Sequence, residues 1–332
     1  MREHSREIGR PYLLIGETNI FDGAMLQPIS EGGAGFDAIW CDDMMHAIYS
    51  VGSPQTKLTG RSYQQRLDIA EALKHGFLYE GQPAVRVARD SQTPVRTNLL
   101  ESMVIALQTH DSVGNQPEGK RLNQLTDANF HCAAAALSLL YPAIPMLFMG
   151  DETLDPNPFH YFVDFHDPWL RDAIAKSRRH EHPQQNWEDS ISPMSKEAFV
   201  ESRVSRLVES EHADDRLNER QFTRAWYQQL ISIRKRWVNQ NVLIADNLAV
   251  THWQHAQAFE LVYESSDAVR TIVVRLNTPG TGDVKPVAIE VEGKIIADSL
   301  PANTAAGHSL AENHAIVLEG RVKLQGLSTP KS

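Results

Sequence analysis

The sequence predicts an α/β protein in which parallel strands alternate with helices, followed by a small antiparallel β-domain. Up to about residue 240, short apolar runs alternate with stretches of helical periodicity. This pattern is typical of parallel βα units whose strands are buried on both faces. Beyond that point the apolar runs are separated by clusters of Pro, Gly, Asn and Ser, which favours an antiparallel sheet.

Four apolar runs in the first part predict buried parallel strands. They lie at 12–16, 36–40, 103–109 and 144–150. Between the second and third runs, residues 63–76 show helical spacing. That pattern stops at Gly76, and glycine commonly follows the last turn of a helix.

A second helix is predicted over 125–141, where Ala and Leu dominate and Thr126 or Asp127 can serve as the N-cap. The apolar residues continue beyond it for long enough to suggest a membrane span. Pro142 and Pro145 interrupt this run. We therefore interpret it as a buried helix, a turn and a buried strand.

The second half of the chain changes character. Residues 195–239 are helical and charged, with Trp226, Leu230 and Ile233 on one face. Short apolar or alternating runs then predict the strands of the β-domain. These runs lie at 258–265, 270–277, 286–293 and 314–320.

The composition is that of an ordinary globular protein. The chain has 332 residues, of which 42% are hydrophobic and 22% charged, and its formal net charge is −10. Nucleic-acid binding is disfavoured because neutralising phosphates needs clustered Lys and Arg.

Cys41 and Cys132 lack metal-ligand spacing and are expected to be buried free thiols in a reducing compartment. The polar N-terminus is unlike a signal peptide, so we expect a cytoplasmic protein without a membrane partner.

Two acids stand where strands of a parallel α/β fold reach the active-site mouth. Glu17 follows the first predicted strand and Asp111 follows the third. Either acid alone is as readily a capping or turn residue as a catalytic one, but two at strand ends favour a site. Paired carboxylates at a barrel rim suggest glycoside hydrolysis. One acid protonates the leaving oxygen, and the other attacks the anomeric carbon or activates water.

Five further residues near these strand ends have both a functional and a structural interpretation. His110 can donate to a sugar hydroxyl, or serve as a cap or core histidine. Trp40 can stack on a sugar ring or pack in the core. Asp42, Asp43 and His46 include an Asp–x–x–His spacing that suits a metal on a helix face. No further ligand cluster lies nearby, and acids at a helix start are favoured by the helix dipole, so we predict no metal.

Six segments match, in order, the motifs of one group of enzymes: LLIGETN (13–19), GFDAIWCDDMMHAIYS (35–50), GFLYEG (76–81), QTHDSVGNQPEGKRL (108–122), LLYPAIPMLFMGDE (139–152) and NPFHYFVDFHDPWL (157–170). As a set they resemble the α-amylase superfamily of glycoside hydrolases, and within it the maltooligosyltrehalose trehalohydrolase family. The resemblance runs from about residue 12 to about residue 320 and includes the C-terminal β-domain.

The resemblance implies a retaining glycosidase that needs no cofactor. Such an enzyme hydrolyses the α-1,4 bond next to the terminal trehalose of maltooligosyltrehalose or a related α-glucan. By resemblance, Glu17 is the general acid/base and Asp111 the residue that stabilises the transition state. The implied substrate-binding residues are His110, Trp40, Asp42, Asp43, His46 and Asn115.

Two departures from the family pattern change what is expected. The family usually has Asn where this chain has Thr109, so one substrate or carboxylate contact is expected to be weaker. The family nucleophile is an aspartate on the strand before Glu17. Residues 1–16 contain no aspartate and match only the end of the helix between those strands.

The resemblance therefore predicts the C-terminal half of a (β/α)8 TIM barrel at 1–240, with strands five to eight, followed by a small antiparallel β-sandwich at 241–328. We expect the chain to be inactive alone unless a separate chain with the N-terminal half-barrel supplies the nucleophile. Recruitment of Asp22 or Asp37 from this chain is the other route. Four strands of an eight-stranded barrel leave two open edges, which predicts self-association or dependence on that partner.

Two other interpretations remain open at this point. The chain can be a truncated remnant that is not catalytic and serves as a carbohydrate-binding or interaction protein. It can also belong to another branch of the superfamily, such as the branching enzymes. The segment at 35–50 argues against that branch by resemblance alone.

Overall fold

The computed structural model describes residues 2–18, 21–81, 85–87, 97–188, 190–207, 215–280, 285–300 and 309–324. These residues form a four-stranded parallel sheet, a six-stranded antiparallel sheet and a two-stranded ribbon. Residues 208–214 of the expected helical stretch and 325–328 of the expected second domain lie outside the described residues.

The strands are numbered in chain order. Their bounds are β1 (Ile15–Gly16), β2 (Ala38–Trp40), β3 (Tyr79–Glu80), β4 (Val85–Arg86), β5 (Met103–Ala106), β6 (Ile144–Met146), β7 (Leu248–Trp253), β8 (Ala258–Glu264), β9 (Val269–Arg275), β10 (Val287–Asp298), β11 (Ser309–Leu310) and β12 (His314–Leu324).

The α-helices are numbered in the same way. They are α1 (Arg2–Ile8), α2 (Asp43–Gly52), α3 (Arg66–His75), α4 (Thr97–Leu100), α5 (His110–Gly114), α6 (Leu122–Leu125), α7 (Ala128–Leu139), α8 (Pro168–Glu181), α9 (Lys196–Glu201) and α10 (Asp215–Asn239). Single-turn 3₁₀ helices occupy Gly23–Met25, Ile29–Glu31, Asp151–Thr153, Ala245–Asn247 and Gln254–Ala256.

The parallel sheet has the order β1-β2-β5-β6, so neighbouring strands follow one another along the chain. Helices α2 and α3 connect β2 to β5, and α7 lies between β5 and β6. Between β1 and β2, residues 21–37 contain only two 3₁₀ turns. The predicted parallel α/β arrangement is confirmed over these strands, although the connection from β1 to β2 has no α-helix in its described part.

The prediction that all four strands are buried on both faces is wrong for the two outer strands. Leu13 and Ile15 at the β1 edge are 74% and 50% exposed, and Ile144 and Leu147 at the β6 edge are 41% and 43% exposed. Among the described residues, each outer strand pairs with a neighbour on one side only. The paired strands β1 and β6 are also shorter than the apolar runs that predicted them.

Helix α7 is the centre of the core. Every residue from Phe130 to Leu139 is buried. Its N-cap is Asp127, whose carboxylate accepts from the Phe130 amide at 2.7 Å, in agreement with one of the two predicted caps. It packs on α10, β9 and β12. It is followed by a turn and β6, as the two prolines predict, and no described helix of the chain is long and apolar enough to cross a membrane.

The predicted end of α3 is also confirmed. The helix stops at His75, and Gly76 takes a φ of 85° with its amide donating to the Ala72 carbonyl. A Cβ at this position would stand 2.3 Å from the Met103 sulfur. Positive φ and the close approach of β5 both require glycine here.

The C-terminal strands form one continuous antiparallel sheet with the order β11-β10-β12-β9-β8-β7. The predicted pair of packed sheets is therefore not found among the described residues. One face of the sheet packs on α7 through residues such as Leu261 and Val317, and the other carries a second apolar cluster that includes Ile289 and Leu318. Strand β7 was not predicted from the sequence. The polar residues Thr251 and His252 obscure the alternation of apolar and polar residues in this stretch.

Arg234 of α10 forms hydrogen bonds at the C-terminal end of α7 and in the turn that follows it. Its guanidinium donates to the carbonyls of Leu139, Tyr141 and Ala143 at 2.9, 2.7 and 2.7 Å. These carbonyls lie at and just after the helix end, where backbone acceptors have no partner within the helix. Arg234 thereby fixes the turn that leads from α7 into β6.

We expect Arg234→Ala to lower the free energy of unfolding by about 2–3 kcal/mol, because it leaves buried carbonyls unpaired. Arg234→Lys should lower the free energy of unfolding by roughly half as much, since an ammonium group cannot reach all three carbonyl oxygens at once. Urea denaturation of the three proteins measures the difference. A loss below about 0.5 kcal/mol for the alanine variant would contradict this role.

Candidate active site

Three acids lie at the carboxyl-end edge of the parallel sheet. Glu17 directly follows β1, Asp42 follows β2 by one intervening residue, and Asp111 lies in α5 just beyond β5. Because β1, β2 and β5 are neighbours and run parallel, their carboxyl ends meet at one edge. The sheet therefore brings the two predicted catalytic acids to the same side, with Asp42 on the strand between them.

A cleft of about 780 Å³ opens at this edge. Asp42 and Asp111 line it together with Arg61 and Arg178, and polar side chains complete its wall. The other polar residues of the lining are His46, Thr59, Thr109, Ser112, Asn115, Tyr161, Ser177, Glu181, His182 and Gln184. Glu17 is exposed and does not line the cleft itself. The cleft thus has the size and the polar lining that suit a hydroxyl-rich ligand.

Helix α5 places Asp111 in the cleft. Thr109 is its N-cap: the Thr109 hydroxyl accepts from the Ser112 amide at 3.2 Å, and the Ser112 hydroxyl accepts from the Thr109 amide at 2.8 Å. The hydroxyl at the position of the family departure is therefore used to start this helix. The Asp111 side chain is 56% exposed, and its carboxylate lies 3.3 Å from Nε2 of His110.

His110 and Trp40 lie beside Asp111 at the same strand ends. Their rings are 6.3 Å apart with a tilt of 56°. The His110 side chain is 52% exposed, and Trp40 is half-buried. Both therefore present a face that a sugar ring can reach.

Asp42 is the acid whose environment differs most from water. Burial first, and then the negative charges of Asp43, Asp111 and Glu17, raise its pKa to about 6 against the opposing charge of Arg61. Its side chain makes no capping hydrogen bond to α2. The Asp42 carboxyl is therefore available to the cleft and takes up a proton near neutral pH.

The structure contradicts a direct substrate contact by Asp43, which was one of the predicted substrate-binding residues. Its side chain is buried. The carboxylate accepts from the amides of Leu78 and Tyr79 at 2.6 and 3.0 Å and from the Tyr63 hydroxyl at 2.8 Å. Arg61 lies 3.7 Å away as an ion pair. Asp43 therefore supports the loops around the cleft, because its acceptor positions are already occupied.

His46 and Asn115 both line the cleft. Burial, followed by the charge of Arg61, lowers the pKa of His46 to about 3, so its imidazole is neutral. The Asn115 side-chain oxygen accepts from Arg178 at 3.1 Å, which leaves its amide group for a ligand. The Asp–x–x–His spacing has no third ligand in the described part of the chain, where no group of three or more His, Cys, Asp or Glu side chains could hold a metal.

The two arginines of the cleft were not among the predicted site residues. Arg178 lies 63 residues from Asn115 in the sequence, and Arg61 lies in a loop with no motif of its own. Of these two arginines, Arg178 alone lies in a small basic cluster of the sequence, the pair Arg178–Arg179. Nothing in that pair connects it to Asp111, because the contact is made by the tertiary structure.

Neither of the two acids considered as a substitute nucleophile faces the cleft. Asp37 precedes β2 and its carboxylate accepts from the Leu14 amide at 2.8 Å, at the amino-end edge of the sheet. Asp22 caps a 3₁₀ turn by accepting from the Ala24 amide at 3.0 Å. Each of these carboxylates therefore binds a backbone amide, and neither lines the cleft.

No family model matches the chain. Among curated proteins, it is 32% identical over 225 residues to the malto-oligosyltrehalose trehalohydrolase of Saccharolobus solfataricus, covering 68% of this chain and 37% of that protein. It is 29% identical over 235 residues to the protein of the same name from Rhizobium sp. strain M-11, covering 70% and 38%. The chain thus spans little more than a third of the length of these relatives.

Solved structures agree on the fold. A candidate alpha amylase of Salmonella typhimurium superposes with a TM-score of 0.69 and 23% identity over 96% of this chain and 53% of that one. The Nostoc punctiforme debranching enzyme gives a TM-score of 0.53 and 15% identity over 96% and 54%. By sequence, the chain is similar to malto-oligosyltrehalose trehalohydrolases over about two thirds of its own length, and it shares its fold with the alpha amylase candidate of Salmonella typhimurium.

Proposed function

We propose that the chain provides half of the active site of a retaining glycosidase, which hydrolyses the α-1,4 bond next to the terminal trehalose of maltooligosyltrehalose. The observation that carries this proposal is the meeting of Glu17, Asp42 and Asp111 at the ends of neighbouring parallel strands around a polar cleft. The names of the relatives point to the same substrate.

The proposed roles follow from exposure and position. Glu17 is exposed beside the cleft and protonates the glycosidic oxygen, then deprotonates the attacking water. Asp111 stabilises the oxocarbenium-like transition state. His110 and Trp40 bind a sugar from one side, and Asn115 binds it from the other. Asp42 and His46 contact hydroxyl groups deeper in the cleft.

The nucleophile is the one part of this mechanism to which we assign no residue of the described cleft, since Asp42 is given the role of binding hydroxyl groups. A retaining enzyme needs it about 5–5.5 Å from the acid/base. Asp22 and Asp37 are both committed to backbone amides. We therefore infer that barrel strands outside these 332 residues carry the nucleophile.

The outer strands of the parallel sheet support the presence of such further strands. Leu13 and Ile15 at one edge, and Ile144 and Leu147 at the other, are each at least 41% exposed. Apolar residues and unpaired backbone groups at a sheet edge are the features that invite a further strand. A half-barrel that pairs with both edges would cover them.

The same proposal places the chain in trehalose formation in the cytoplasm. It also divides the chain at about residue 240, with 1–240 as half of the catalytic barrel and 241–328 as the C-terminal β-domain. The parallel and antiparallel sheets on either side of α10 support this division.

The direct test is release of trehalose from maltotriosyltrehalose. The chain would be assayed alone and together with the part of the Saccharolobus solfataricus relative that it does not span. We expect turnover by the pair only. In the pair, Glu17→Gln should lower the rate by about 10²–10⁴-fold, and Asp111→Asn by about 10²–10³-fold.

Glu290→Gln is the matched control, because Glu290 is exposed on β10 in the other sheet. Turnover that survives Glu17→Gln would contradict the assignment of the acid/base. Binding of the oligosaccharide without hydrolysis in any combination would instead favour a carbohydrate-binding protein.

The edges make a second prediction, about self-association of the isolated chain. Leu13→Lys and Leu147→Lys together should shift sedimentation velocity profiles toward the monomer, because charges at sheet edges oppose pairing. Trp169→Lys removes a side chain that is 75% exposed on α8, away from both edges, and serves as the control. An equal shift with the control would show that general hydrophobicity, and not the edges, drives association.

A third prediction concerns pH. Because the pKa of Asp42 is raised to about 6 from 3.8, its contribution to stability is fully present below pH 3.8 and is lost as the pH rises through about 6. Between pH 4 and pH 7.5 the wild type should lose about 1–2 kcal/mol relative to Asp42→Asn. Urea denaturation at both pH values, with Glu290→Gln as control, measures this. An equal change in the free energy of unfolding between the two pH values for the wild type and Asp42→Asn would contradict this prediction.

A further inference from the structure

We propose that Arg178 is a positioning residue for Asp111: from α8 it holds the short helix α5 in the orientation that keeps this carboxylate in the cleft. The inference rests on the proposed function only in so far as Asp111 is a reacting carboxylate. The contact between α8 and α5 is a property of the fold itself.

Arg178 makes two hydrogen bonds at the end of α5. Its Nη2 donates to the Gly114 carbonyl at 2.5 Å, and its Nη1 donates to the Asn115 side-chain oxygen at 3.1 Å. Gly114 is the last residue of the helix, and such terminal carbonyls lack partners within a helix. The guanidinium therefore closes the C-terminal end of α5 with a charge of the sign that this end favours.

Two aromatic rings fix the guanidinium in place. Its central carbon lies 4.1 Å from the centre of the Tyr161 ring and 5.4 Å from that of Trp187. The two rings come from the segments before and after α8. Arg178 is only 8% exposed. A planar guanidinium can stack on rings and donate in its own plane at the same time, which lysine cannot do.

Helix α5 needs restraint at both ends. It has five residues, too few to be stable without tertiary contacts. Thr109 and Ser112 fix its start, and Arg178 fixes its end. Asp111 lies between these two points. Loss of either should let the carboxylate move without unfolding the core.

The attachment of α8 depends on the same residue. Among the described side chains of α8, Arg178 is the one that is buried, while neighbours such as Arg179 are exposed. Arg178 therefore joins the helix to the cleft, and Arg179 provides a matched control with the same charge at the next position.

The first readout is amide hydrogen exchange, which needs no catalytic activity. In the full chain, Arg178→Ala should speed exchange in peptides covering 109–116 by about tenfold or more, while peptides from α7 stay unchanged. Arg178→Lys should give an intermediate increase, and Arg179→Ala none. Unchanged exchange at 109–116 in Arg178→Ala would overturn the proposal.

The second readout is kinetic, in the pair of polypeptides that releases trehalose. Arg178→Ala should lower kcat by about 10- to 100-fold, because a displaced catalytic group costs rate, with KM changed by less than about threefold. Millimolar guanidinium should restore part of the rate of this variant and leave Arg179→Ala unaffected. An unchanged kcat, or an equal loss in Arg179→Ala, would overturn the positioning of Asp111. No trehalose from the wild-type pair, with the exchange result intact, would overturn the proposed function alone.

Discussion

The burial of α7 from Phe130 to Leu139 is the constraint on which the other elements depend. Polar groups on it must find partners without water, and α10 provides two of them. The Tyr227 hydroxyl lies 2.9 Å from Nε2 of His131, and the Trp226 indole donates to the Cys132 carbonyl at 2.9 Å. Because α7 leads through a short turn into β6, its position helps to set that of the sheet whose edge bears the acids.

A layer of buried polar groups separates this core from the cleft. Gln108 donates to the Asp151 carboxylate at 2.5 Å and accepts from the Leu122 amide at 2.8 Å. Arg121 is fully buried and donates to the carbonyls of Asn157 and Met149 at 2.8 Å. These bonds join the loops that follow β5 and β6. These bonds hold the loops on the side that faces the core. Helix α5 can therefore be short, because the loop residues around it are held in place.

The order of elements could be predicted from the sequence because it depends on local patterns. The apolar run that becomes α7, the glycine that ends α3 and the strand-end position of Asp111 are all visible within about a dozen residues. The exposure of Leu13 and Ile144 was less predictable. It follows from their place at the edges of the described sheet, and only the strand order shows which strands are at the edges. Asp42 and Asp43 look equivalent in the sequence. Their different environments arise from Leu78 and Tyr79, which approach from the other end of α3.

The antiparallel sheet is bonded to the first part of the chain at several points. The Tyr263 hydroxyl donates to the Leu140 carbonyl at 2.7 Å, the Arg66 guanidinium to the Leu276 carbonyl at 2.8 Å and the Gln229 amide to the Ile296 carbonyl at 3.0 Å. Apolar side chains of the sheet belong to the same core as α7. We therefore expect the two parts to unfold as one cooperative unit, and a cut near residue 240 to expose the hydrophobic face of each rather than release two independent domains.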